Sequence, residues 1–251
     1  MSTTISNNTK IFYRIKKKKG KTLIFLHGVG RNYTSWKHFY NHFEDLNYTT
    51  ITPDLRGCGN SRTNNISIQS YAEDINNILE KEKIKKVILI GHCLGTSIAI
   101  KFNELFSNKV DKMFLMGIFT EKTIKIYPII KSLNNLAYYT IAFLHFFGIK
   151  RKKFIHIDYS KYQDEPLLFF PLIDFKGISV YNWLLSVKVL LGYNPSLNIK
   201  TNHINIFAEK DHFVKHKGIK NSKVIKGLDH VMVIRKPKVL FETLENYIKN
   251  G

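Results

Sequence analysis

Residues 87–95 read Val87-Ile88-Leu89-Ile90-Gly91-His92-Cys93-Leu94-Gly95, and this stretch decides the fold. Four consecutive apolar residues suit a strand buried on both faces of a parallel sheet. Beyond it, Ile98, Ala99, Phe102, Leu105 and Phe106 share one face at helical spacing and predict a helix. The G-x-C-x-G spacing between strand and helix permits a very sharp turn, because the residues two before and two after the central one have no side chain. The central side chain is then pushed outwards, strained, at a helix N-terminus. Those are the needs of a nucleophile, and Cys93 is the candidate. The competing reading is a small buried residue at a glycine-rich turn.

Upstream, residues 10–15 alternate as a strand and a lysine-rich turn ends at Gly20. Residues 22–26 form another apolar run, closed by His27-Gly28-Val29-Gly30. A helix is predicted over 34–43, a buried strand over 49–53 ending at Asp54, and a helix with Ser70 as its N-cap and Tyr71, Ile75, Ile78 and Leu79 on one face. Downstream, 110–116 reads as a strand. Residues 119–198 are aromatic and irregular with helical stretches. Strands return at 203–208 and 223–225, and a final amphipathic helix has Pro237 in its first turn. Alternating strands and helices predict an α/β fold, a mostly parallel sheet flanked by helices. The core comprises residues 1–118 and 199–251, and 119–198 is an inserted helical cap.

The 251-residue chain carries 39 Lys and Arg against 19 Asp and Glu, a formal charge of +20. The excess is spread along the chain among many Asn and Ile residues, so no nucleic-acid partner is expected. The two cysteines, Cys58 and Cys93, exclude a disulfide framework. The polar N-terminus lacks the apolar run of a signal peptide, and no apolar stretch reaches about 18 residues. A cytoplasmic protein is expected. No metal-ligand spacing stands out among the histidines and acids, so neither a metal nor another cofactor is expected.

With His27-Gly28 after an early strand, Asp54-Leu55-Arg56-Gly57-Cys58-Gly59-Asn60-Ser61, the turn at Cys93, and an acid and a histidine in the last quarter, the chain resembles the α/β-hydrolase superfamily over nearly its full length. The order nucleophile, acid, histidine is that of the superfamily. The resemblance implies His230 as general base, after the turn Gly227-Leu228-Asp229. It implies Asp211 as the acid that orients it, with Glu209 as the rival. The oxyanion hole falls to the backbone N–H groups of Val29 and Leu94. His27 would order the oxyanion loop, His92 would be a spacer, and Arg56 would pin loops together. Most members carry Ser where this chain has Cys93, a departure shared with dienelactone hydrolases and polyhydroxyalkanoate synthases.

A thiolate is a strong nucleophile at neutral pH, and a cationic imidazole favours it. The expected activity is hydrolysis of small-molecule carboxylic esters or acyl thioesters with an apolar acyl group, through a Cys93–His230–Asp211 triad and a covalent acyl-enzyme. An acyltransferase using the same residues is the alternative. A non-catalytic ligand-binding protein on a hydrolase scaffold is another. Residues 133–149 are rich in Leu, Tyr and Phe and lead into Lys150-Arg151-Lys152-Lys153. That pairing reads either as a greasy lid with weak membrane-surface contact or as a packed helix ending in solvated lysines.

Overall fold

The computed structural model describes residues 1–124, 127–146, 155–166, 169–216 and 218–250. Eight strands form one sheet: β1 (Ser2–Ser6), β2 (Thr9–Lys16), β3 (Thr22–Leu26), β4 (Thr49–Pro53), β5 (Val87–His92), β6 (Val110–Met116), β7 (His203–Ala208) and β8 (Ser222–Ile225). Their spatial order is β1-β2-β4-β3-β5-β6-β7-β8. β1 and β2 pair antiparallel, as do β2 and β4, and the other neighbours are parallel. The polar sequence of β1 carries no strand signal. It is fixed instead by a tight turn in which Asn7 and Asn8 both take positive φ, the geometry that matches the twist of a hairpin.

The central strands are apolar on both sides because both faces are covered. In β3, Ile24 and Leu26 join one core layer while Leu23 and Phe25 join the other. In β5, Val87 and Leu89 divide from Ile88 and Ile90 in the same way. One layer is completed by α2 (Ile68–Glu82) and α3 (Leu94–Phe106), the other by α1 (Lys37–Asp45) and α7 (Pro237–Asn250). Burying a single Leu, Ile or Phe this fully contributes about 2 kcal/mol. Two helix starts differ from the sequence reading. A 3₁₀ turn, Tyr33–Trp36, precedes α1. The N-cap of α2 is Ser67, whose side chain accepts from Ser70 N–H, while Ser70 returns the bond to Ser67 N–H as the third residue of a capping box.

Arg56 is fully buried and ties the β1–β2 edge to α2. Its guanidinium donates to Asp74 at 2.7 and 2.8 Å, to Thr9 Oγ1 at 2.9 Å and to the Ser6 carbonyl at 2.6 Å. Every strong donor direction is used, which makes a buried ion pair tolerable. Burial still raises the Asp74 pKa to about 6, against the lowering effect of Arg56.

Between β6 and β7 lie α4 (Tyr127–Phe146), α5 (Phe170–Gly177) and α6 (Val180–Gly192), with α4 packed along α6. On α4, Ile129, Leu133, Leu136, Tyr139 and Phe143 are exposed, while Ile130 of the same helix lines the cavity described below. The run Lys150-Arg151-Lys152-Lys153 lies outside the described residues. Among the described residues no helix is long and apolar enough to cross a membrane.

Candidate active site

The turn at Cys93 has the backbone that its glycines imply. Cys93 sits at φ 52°, ψ −115°, a region that L residues enter only when the surroundings impose it. A Cβ on Gly91 would lie 2.5 Å from the Gly95 carbonyl, and one on Gly95 would lie 2.1 Å from that of Leu26. No side chain fits at either place. The Cys93 amide donates to the Met116 carbonyl at 2.9 Å, which anchors the turn to β6. The Cys93 side chain is 7% exposed and opens on a cavity of about 380 Å³.

His230 and Asp211 are brought together with Cys93. His230 Nδ1 lies 2.7 Å from Asp211 Oδ2. The other carboxylate oxygen accepts from the amides of Phe213 and Val214 at 2.8 and 3.0 Å. Burial would raise the Asp211 pKa, but the hydrogen bond from His230 and these two amides outweigh it and hold the group below the usual carboxylate value. Burial would lower the His230 pKa, but hydrogen bonds to Asp211 and Cys93, with their charges, push it up to about 10. With Nδ1 on Asp211, the ring nitrogen left for Cys93 is Nε2. The edges of Phe119 and Phe213 pack on the imidazole at centroid distances of 5.6 and 5.2 Å and confine it.

The neighbouring acids are occupied elsewhere. Glu209 accepts from the Gly227 amide at 2.9 Å. Asp229 accepts from the Val231 amide and pairs with Arg235.

The loop after β3 runs against Cys93: a Cβ on Gly28 would meet Cys93 Cβ at 3.2 Å. Val29 lines the cavity beside it. Leu94, the first residue of α3, has an N–H with no partner inside its helix. His27 holds the loop. Leu55 N–H donates to its Nε2 at 3.1 Å, so the ring proton is on Nδ1 and donates to the Gly28 carbonyl at 2.8 Å. Burial, with the Arg31 charge nearby, lowers its pKa to about 4 and keeps it neutral.

His92 does more than space the turn. Its Nε2 donates to the His230 carbonyl at 2.7 Å and so ties the Cys93 turn to the His230 loop. Burial and the His230 charge hold its pKa well below the usual range. Cys58 is a free, buried thiol, and burial raises its pKa far above that of an exposed thiol. Among the described residues no cluster of His, Cys, Asp or Glu is arranged to hold a metal ion.

The cavity is otherwise walled by the segment between β6 and β7. Trp183, Val187, Leu190 and Leu191 form one face of α6 at i, i+4, i+7 and i+8, and Phe170 and Asp174 contribute from α5. Arg31 lines it from the core side. The sequence reading singled out none of these residues. The i, i+4, i+7, i+8 pattern of α6 was the available signal, and it is indistinguishable in sequence from an ordinary packing face.

The mostly parallel eight-stranded sheet with helices on both faces is the α/β-hydrolase fold. The family model described as alpha/beta hydrolase fold matches residues 21–131. "Putative esterase/lipase 2" of Mycoplasma pneumoniae is 29% identical over 103 residues, 40% of this chain and 38% of that protein. Protein phosphatase methylesterase 1 of Candida albicans is 28% identical over 127 residues, 48% of this chain and 35% of that protein. This chain therefore matches well under half the length of either relative. Among solved structures, a thermophilic esterase from Thermogutta terrifontis superposes with a TM-score of 0.74 at 16% identity, covering 98% of this chain and 96% of that one. Est816, described as an N-acyl homoserine lactone degrading enzyme, gives 0.74 at 17% identity, covering 98% and 99%. At such identity these neighbours speak for the fold. The family match and the structural neighbours together support the α/β-hydrolase superfamily.

Proposed function

We propose that this protein hydrolyses carboxylic esters or acyl thioesters of small molecules, with Cys93 as nucleophile, His230 as general base and acid, and Asp211 as its orienting partner. The observation that carries this is the 2.7 Å His230–Asp211 bond beside a strained cysteine that opens on an apolar cavity. The esterase and lipase names of the relatives point the same way.

Cys93 Sγ, its proton held on His230 Nε2, attacks the acyl carbon. The carbonyl oxygen gains the negative charge and meets the N–H groups of Val29 and Leu94. Each such donor is worth on the order of 3 kcal/mol of activation free energy. The intermediate collapses, the C–O or C–S bond breaks, and the leaving group takes the proton from His230. Water then gives a proton to His230 and its oxygen to the acyl carbon, and the thiolate departs. Residues 119–198 act as a cap that supplies the acyl-binding wall.

The test is steady-state turnover of p-nitrophenyl and thioester substrates of graded acyl length. Cys93→Ala and His230→Ala should each lower kcat on the order of ten-thousand-fold or more. Turnover by the wild type that survives in Cys93→Ala would remove the proposal.

A further inference from the structure

Helix α4 carries an apolar face that the fold leaves uncovered. Ile129, Leu133, Leu136, Tyr139 and Phe143 are each more than half exposed. They stand at i, i+4, i+7, i+10 and i+14, so they share about a third of the circumference at roughly 3.6 residues per turn. Over its 20 residues the helix is about 30 Å long. Single exposed apolar side chains are normal on a protein surface, whereas a contiguous stripe marks a contact. No other described helix has more than one large apolar side chain so exposed.

The polar groups of α4 leave that stripe clear. Within it, the Thr140 hydroxyl donates back to the Leu136 carbonyl at 2.9 Å. The one Asp, Glu, Lys or Arg of the helix is Lys131, which the helical spacing places away from the stripe. A cation stands at the edge instead. Lys188 of α6 donates to the Tyr139 hydroxyl at 2.9 Å, with its Nζ 4.3 and 4.4 Å from the ring centroids of Tyr139 and Tyr138. An apolar stripe edged by tyrosine hydroxyls and a lysine is the arrangement that suits a lipid boundary, where acyl chains meet phosphates.

Charge selects the occupant. The chain has a formal charge of +20, and between Glu121 and Asp158 it has no acid at all. A second copy brought against this face would meet the same positive charge, whereas a surface of anionic lipid meets the opposite one. No described helix is long and apolar enough to cross a membrane, so α4 would lie along the surface.

We propose that the exposed face of α4 is a docking surface for membranes containing anionic lipid, with Ile129, Leu133, Leu136 and Phe143 at the acyl boundary and Lys188 at the level of the phosphates. Ile130 of the same helix lines the cavity beside Cys93, so the docked face and a wall of the cavity belong to one element. The inference does not depend on the ester-hydrolase reading, and its test measures no turnover.

The experiment is flotation of the full chain with vesicles of phosphatidylcholine alone, or of equal parts phosphatidylcholine and phosphatidylglycerol. The wild type should float with the mixed vesicles and much less with the neutral ones, and high salt should weaken its retention. Leu133→Gln combined with Leu136→Gln should lower partitioning onto mixed vesicles by about ten-fold or more, as expected when two leucines lose their burial. Val239→Gln, an exposed apolar site on α7, should leave it unchanged. The emission of Leu136→Trp should shift to the blue when mixed vesicles are added.

Absence of retention overturns the proposal, as does equal retention on neutral vesicles. Retention that survives the paired Gln substitutions, or a Leu136→Trp emission that stays put while the protein is bound, is adsorption by net charge and overturns it too. So does a wild-type dimer, seen by analytical ultracentrifugation without lipid, that the paired Gln substitutions dissociate, since the occupant would then be a second copy.

Discussion

The sheet and the segment between β6 and β7 draw on similarly apolar sequence and use it differently. In the sheet, β3 and β5 bury alternate residues in two layers, and the strained Cys93 turn is locked by carbonyls that leave no space for a methyl group at Gly91 or Gly95. In the insertion, α6 turns one apolar face to the cavity while α4 leaves Ile129, Leu133 and Leu136 in solvent, 58%, 62% and 67% exposed. The first region fixes atoms, and the second shapes a space. A catalytic arrangement needs positions held to fractions of an ångström, whereas an acyl pocket needs only suitable volume and polarity.

The largest effect that would sharpen this contrast is Gly95→Ala. Its Cβ would sit 2.1 Å from the Leu26 carbonyl, and backbone cannot move aside as a side chain can. We expect a loss of about 3 kcal/mol or more in denaturant unfolding. An unchanged unfolding midpoint would break the claim that close packing holds the Cys93 turn.

Next is the pH dependence of stability. His230 is raised from 6.5 to about 10 in the folded protein. The folded state therefore binds more protons than the unfolded chain over that interval. Its contribution is complete below pH 6.5 and is lost as pH rises towards about 10. Asp211, held below its usual value, contributes above the unfolded carboxylate pKa and loses that contribution as pH falls through its folded pKa. Asp211→Asn should flatten the decline of the melting temperature on the alkaline side. A slope equal to that of the wild type would mean that the pair does not stabilise the fold.

The smallest effect is in the insertion. Gly192 ends α6, and a Cβ there would meet nothing within 4 Å. Gly192→Ala should stabilise by about 0.5 kcal/mol, through a less flexible unfolded chain, in the same unfolding experiment. Destabilisation comparable to that of Gly95→Ala would erase the distinction between the two regions.

What could be read from sequence follows the same division. Strands β3 and β5 and the turn at Cys93 were legible because burial on both faces forces continuous apolar runs and because the sharp turn forces glycines. Asp211 and His230 were legible by order and placement, and their 2.7 Å contact is the geometric counterpart. The edge strand β1 was not, since STTIS holds a single apolar residue and its cause is the Asn7-Asn8 turn. Ser67 was passed over for Ser70 because a reciprocal capping pair contains two equally good cap residues. The insertion was legible only as helical. Apolar residues there face both cavity and solvent, so periodicity does not say which side a helix buries. Arg31 was hidden for a related reason: a cation beside a loop reads as solvated until the rings of Phe170 and Tyr159 close over it.

The central claim is that Cys93 carries the acyl group. The most direct measurement is intact-mass spectrometry with peptide mapping, after rapid mixing with short- and medium-chain acyl thioesters and quenching in acid. A transient mass increase equal to the acyl group, mapped to Cys93 and absent in Cys93→Ala, is the predicted result. An adduct on another residue, or turnover with no adduct on Cys93 at any time point, would contradict it.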